Sequence, residues 1–329
     1  MANRAVLDWL LQPEQPAIQY LTLTQLLGRR AGDPEVREAR ARIPRVGWVA
    51  GMLAKRDPGG WWVRNGAPMY PKYQSINWNL LAMSDLGVSR SVPEVAASCE
   101  LWMAKTPLKN GGVGAVGNQG IGHLCFTGNM ARALVNLGYL EDRRIHRTFE
   151  WLAQTAHPQG GWSCWNFTDR PSKSRNLDSW EALAAFSAYP RSKWSPRMKA
   201  CVDQAAEFYL EHELHARGDR YPPWYRFHWP THFYYDVLVG LDMLSALGYA
   251  DDPRLEFGLK LLKSKRRKDG RWNLDAVHPD WVARDGTTSS RWFVEHPERR
   301  ESPLTFERAG APSKMITLRA LRILQRFGS

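Results

Sequence analysis

The chain has 329 residues, with 45 Lys+Arg against 33 Asp+Glu and a formal net charge of +12. Hydrophobic residues at 43% and charged residues at 24% are ordinary globular proportions, which excludes a disordered chain or a fibrous repeat. No apolar run approaches the roughly 20 residues of a membrane helix, and the first residues, with Asp8 and Glu14, lack the pattern of a signal peptide. Cys99, Cys125, Cys164 and Cys201 are few and far apart, as expected for reduced thiols in a cytoplasmic protein. Tryptophan is the outlier: 16 residues, more than a core that can use Leu and Ile requires.

Along the chain, apolar helical patterns end in a recurring phrase: Leu27-Gly28, Leu86-Gly87, Leu137-Gly138, Ala188-Tyr189 and Leu247-Gly248. From Gly28 through Gly87, Gly138 and Tyr189 to Gly248 the spacings are 59, 51, 51 and 59 residues. A helix-start signal follows each: Asp33-Pro34, Ser91 before Pro93, Asp142, Ser195-Pro196 and Asp252-Pro253. Asp or Ser accepts from the free N–H groups of a first turn, and Pro fits a position whose N–H is unused. The punctuation predicts five or six helix pairs.

The two helices of a pair differ. Residues 142–156 place Ile145, Phe149 and Leu152 on one face, an amphipathic helix with a wet side. Residues 125–137, 176–189, 234–247 and 313–327 read as apolar nearly all round, which places them inside. With no Asn-Gly or Asp-Gly hairpin between apolar runs, the expected class is all-α.

Between outer and inner helix lies a Gly/Trp turn: Asp57-Pro58-Gly59-Gly60-Trp61-Trp62, Gln159-Gly160-Gly161-Trp162 and Asp269-Gly270-Arg271-Trp272. Asn110-Gly111-Gly112-Val113 is a version without Trp. This repeat resembles that of the superfamily of squalene–hopene cyclases, other terpenoid cyclases and protein prenyltransferase β-subunits. The resemblance implies an α/α toroid of six inner and about six outer helices, one domain over residues 1–329. Residues 273–311 are then an insertion before the last inner helix, expected as a lid, a packed arm or a contact in a homo-oligomer. It also implies an isoprenoid-like or other hydrophobic small molecule in a Trp-rich central cavity.

In such a toroid the N-termini of the inner helices converge on one mouth, and their partial positive charge favours anions. The residues expected there are Tyr73, Trp78, Cys125, Asn129, Trp165, Arg175, Asp178, Trp180, Arg226, His228, His232, Tyr235, Asp236 and Lys314. Trp and Tyr would shape the pocket, and Arg175, Arg226 and Lys314 would hold an anionic head. The related cyclases protonate their substrate with an Asp-x-Asp-Asp motif, which is absent here; Asp178 is the nearest candidate acid, and Asp236 the second. Both also read as helix N-caps.

The prenyltransferases hold zinc with Asp, Cys and His. The basic stretch 169–175 is similar to the loop before their zinc-histidine helix, but Leu177-Asp178-Ser179-Trp180 follows it without His or Cys. Cys125, Cys164, His123, His228 and His232 offer zinc-ligand chemistry without a diagnostic spacing, against a reading as buried thiols and hydrogen-bonded histidines. The lanthipeptide cyclases share a related toroid, but their Cys-His-Gly is replaced by Cys125-Phe126-Thr127-Gly128. The basic run 263–268 reads as a solvated helix end, and no nucleic-acid motif accompanies it. Two other functions fit such a ring: a carbohydrate-active α/α barrel pairing Asp178 or Glu181 with Asp236, and a non-catalytic toroid binding a lipid or a protein.

Overall fold

The computed structural model describes residues 4–62, 68–69, 73–114, 122–158, 160–163, 176–215, 222–232, 234–277 and 305–328; side chains of residues 176–178 and 215 are outside the description. In chain order the helices are α1 (Arg4–Leu10), α2 (Pro16–Leu21, continued by a π turn Thr22–Leu26), α3 (Pro34–Arg42), α4 (Gly47–Leu53), α5 (Ile76–Asp85) and α6 (Pro93–Lys105). Then come α7 (Leu124–Leu134, continued by a π turn Val135–Tyr139), α8 (Arg143–Gln154), α9 (Asn176–Ala188), α10 (Pro196–Glu211), α11 (Val237–Ala246), α12 (Glu256–Ser264) and α13 (Lys314–Arg326). Among the described residues β structure is limited to isolated bridges, so the class is all-α.

The expected punctuation operates in most places. Asp33 accepts from Glu35 N at 2.9 Å, Asp142 from Arg144 N at 2.8 Å and Ser195 from Met198 N at 3.4 Å, starting α3, α8 and α10. Asp252 caps a 3-10 turn that runs into α12. Ser91 does not cap α6, which follows Val92 and opens on Pro93.

The inner helices close a ring. α5 packs on α7, α7 on α9, α9 on α11, α11 on α13, and α13 on the π turn of α2. Gly87, after α5, completes the circle: a Cβ there would stand 2.8 Å from the Tyr20 ring of α2. The closest approach is between α7 and α9, where a Cβ on Gly128 would lie 2.6 Å from Ala182 N. Glycine is needed there because two helix backbones nearly touch.

Each Gly/Trp turn ties its two helices together by the same bonds. The indoles of Trp62, Trp162 and Trp272 donate to the carbonyls of Met52, Leu152 and Leu262, at 2.7, 2.8 and 2.8 Å and ten residues back in each case. The indole thus donates to a carbonyl at the end of the outer helix, where helical N–H donors run out. The backbone N–H of Trp162 donates to Ser179 Oγ of α9, and that of Trp272 to Thr317 Oγ1 of α13. Val113, in the turn without Trp, makes the corresponding bond to Thr127 of α7.

One expectation changes. Residues 313–327 are not apolar all round: α13 carries Arg319, Arg322 and Arg326 along one stripe, and α7 carries Arg132. The described ends of the insertion bond to each other and to Phe227: Leu274 N donates to Ala311 O, Gly310 N to Leu274 O and Asp275 N to Phe227 O. Residues 278–304 lie outside the described residues, and with them the expected lid.

Candidate functional site

The expected site lies at the N-terminal ends of the inner helices. Asp236 is the N-cap of α11 and is fully buried. Its Oδ1 accepts from Val239 N at 2.8 Å, and its Oδ2 accepts from His228 N at 3.0 Å and lies 2.6 Å from His228 Nδ1. The carboxylate therefore starts a helix and orients an imidazole, and both oxygens are committed. This is the capping alternative, with His228 on the second oxygen.

The segment Phe227–His232 crosses the ring. Asn129 of α7 donates to His232 O at 2.8 Å, Arg319 of α13 donates to Thr231 Oγ1 at 2.8 Å, and the Trp229 indole lies beside Asp85 of α5. A segment touching three helices around the ring is a septum. Above it, towards the N-terminal mouth, aromatic rings meet. Tyr73 lies 5.1 Å from Trp78 and 4.7 Å from His232, and Phe126 lies 5.8 Å from Trp78 and 5.9 Å from His123. Tyr73 and His232 both hold left-handed backbone, with φ of 66° and 48°. Burial, with His228 close by, lowers the His232 pKa to about 3, so its ring is neutral.

Beyond the septum, at the C-terminal ends, is a cavity of about 450 Å³ lined by residues of all six inner helices. Its floor is a buried ionic group: Arg132 Nη1 lies 2.6 Å from Asp85 Oδ1, and Arg319 Nη2 lies 2.9 Å from Asp85 Oδ2. Burial opposes ionisation of Asp85, and the two guanidiniums overcome it and hold its pKa below the usual carboxylate value. Asp242 is held down in the same way against burial, by Arg322, Arg326 and Arg319.

The other expected residues scatter. Tyr235 turns away from the axis between α10 and α11: its ring lies 5.6 Å from Tyr209, and its hydroxyl sits 2.3 Å from where a Cβ on Gly240 would be. Burial raises its pKa. Arg226 donates to Asp275 O at 2.9 Å and anchors the insertion. Lys314 donates to Trp9 O and to Gln12 Oε1, so its ammonium holds α1 to α13. Cys125 is half-buried, Asn129 and Trp78 are buried, and Trp180 is buried and borders the large cavity. Trp165 and Arg175 lie outside the described residues, as does the Asp178 side chain, whose backbone is in the first turn of α9. Cys164 is outside them too. Among the described residues no three His, Cys, Asp or Glu side chains are arranged for a metal.

The ionic cavity was not among the expected sites. Its signal was present in Arg319, Arg322 and Arg326, spaced three and four apart on a helix otherwise built for burial.

No family model matches the chain, and no curated protein matches it. Among solved structures the chain is similar to type II terpene cyclase MstE from Scytonema. A substituted form in complex with geranylgeranyl dihydroxybenzoate shares 14% identity over 85% of this chain and 94% of that one, with a TM-score of 0.33. A second substituted form, without ligand, matches at 14% identity over the same shares with a TM-score of 0.34. At that distance the likeness transfers no residue and no activity. Among the described residues no helix is long and apolar enough to cross a membrane.

Proposed function

We propose that this protein is a terpenoid-cyclase-like enzyme that acts on an isoprenoid or another hydrophobic small molecule at the N-terminal mouth of its ring. The observation that carries the reading is the aromatic group of Tyr73, Trp78, Phe126 and His232, assembled from the turn before α5, from α5, from α7 and from the septum. Aromatic faces stabilise developing cationic charge and hold flat or chain-like apolar ligands. Two of these residues hold left-handed backbone, a strain of about 1–3 kcal/mol each that collects where function requires a fixed geometry. Asp178, in the first turn of α9, is the proposed acid. The carbohydrate reading loses support because Asp236 is engaged by His228 and Val239.

The test is incubation of the purified protein with linear isoprenoid alcohols and diphosphates, with products read by mass spectrometry. The native chain is expected to yield cyclised or rearranged product, and Asp178→Asn to slow it by about 10²–10⁴-fold. No product from either form ends the reading.

A further inference from the structure

The cavity beyond the septum has a chemistry that the proposed reaction does not use. Its lining includes Arg40, Arg132, Arg319, Arg322 and Arg326 against the two carboxylates Asp85 and Asp242, an excess of positive charge. The carbonyl ends of the inner helices attract cations, and this accounts for part of the crowd. It does not account for where the guanidiniums point. Arg319 is engaged by Asp85 and Thr231, and Arg322 by Asp242 and Gln25. Arg326 reaches Asp242 and Ser245.

Donors are left over. Nε and Nη2 of Arg132, on α7, and Nε of Arg322, on α13, are buried with no hydrogen-bond partner among the described residues. A buried charged N–H without an acceptor is costly, and since these nitrogens are covered, a ligand in the cavity recovers that cost by turning the guanidiniums towards its own acceptors. The arginines that line the cavity come from α3, α7 and α13, so an acceptor there receives bonds from more than one direction. A phosphoryl group, with three terminal oxygens spread in space, meets that need better than a planar carboxylate. The cavity, at about 450 Å³, is too large for the phosphoryl group alone and is in the range of small-ligand pockets. Ser84 and Ser187 offer hydroxyls to a polar body, and Trp180 and Leu318 offer an apolar wall.

We propose that this cavity is a binding site for a small organic phosphate, distinct from the N-terminal mouth and independent of the reaction proposed there. The phosphoryl group lies between Arg132 and Arg322, with the floor group Arg132–Asp85–Arg319 fixing the first of these.

The test uses the full chain at constant ionic strength, with glycerol 3-phosphate and inorganic diphosphate as probes and succinate as the dicarboxylate comparison. Calorimetric titration and the melting temperature are both read. The phosphates are expected to bind saturably and to raise Tm with concentration. Arg132→Gln is expected to weaken binding by at least about tenfold. Because that change also exposes the buried Asp85, a second variant, Asn136→Asp, adds a negative charge at the exposed rim of the cavity and leaves the floor intact. It is expected to weaken phosphate binding while melting like the native chain without ligand. No saturable binding of either phosphate overturns the proposal. So does succinate binding as tightly as the phosphates, or phosphate binding that Asn136→Asp leaves unchanged.

Discussion

A buried imidazole that stays neutral gives the ring a sensitivity to acid. His232 has a folded pKa of about 3, lowered first by burial and then by His228, against roughly 6.5 when unfolded. Between those values the unfolded chain takes up a proton that the folded chain refuses. The contribution is complete above about pH 6.5 and is lost as pH falls towards 3, at about 1.4 kcal/mol per unit. Asp85 and Asp242, with lowered pKa values, lose their contributions only under stronger acid. The melting temperature should therefore fall from pH 7 to pH 5, and His232→Phe should fall less steeply over that range. Gly128 sets a different limit. Gly128→Ala puts a methyl group 2.6 Å from Ala182 N, and since backbone cannot move aside cheaply we expect a loss of about 1–3 kcal/mol or more, read by denaturant unfolding. At this scale the sequence was only partly legible. Asp236 is equally good as an acid and as a cap on paper, because the same carboxylate chemistry serves both. Only the fold shows His228 and Val239 arriving at its two oxygens.

At the scale of elements, the Gly/Trp turn was recognisable as punctuation, but its bonds were not. That a tryptophan follows the glycine is visible; that its indole reaches a carbonyl ten residues back, and that Ser179 or Thr317 answers its backbone, requires the paired helix in place. Trp162→Phe and Trp272→Phe should each cost about 1–3 kcal/mol by removing the indole donor from the carbonyl of Leu152 or Leu262. The two turns share no bonds, so the double variant should lose close to the sum. Trp162→Phe with Ser179→Ala should lose less than their sum, since both loosen one turn. A thermal or denaturant melt of the set distinguishes these outcomes. The septum is the element least legible in sequence. Residues 227–232 follow no helical period and carry no marker for crossing a ring, and their course is set by Asn129, Arg319 and Asp85 on three other helices.

For the whole molecule, helix pairs around a circle were legible because amphipathic and buried helices alternate with regular stops. The direction from which the ring offers its chemistry was less so. Attention to helix N-termini overlooks the opposite end, where arginines on α7 and α13 meet carboxylates on α5 and α11.

Closure of the circle has a consequence for how the chain can be cut. Every neighbouring pair of inner helices is joined through the outer helix between them, except α13 and α2, which meet across almost the whole chain through contacts such as Arg322 with Gln25. Among the described residues that junction is a seam held through side chains, and it is the step with the greatest loop-closure entropy. A circular permutant with a linker across the seam and new ends at Glu141, between α7 and α8, gives up only the local bonds of that turn, such as Glu141 with Lys193, and moves the seam. Its equilibrium stability should stay near that of the parent while its refolding rate changes.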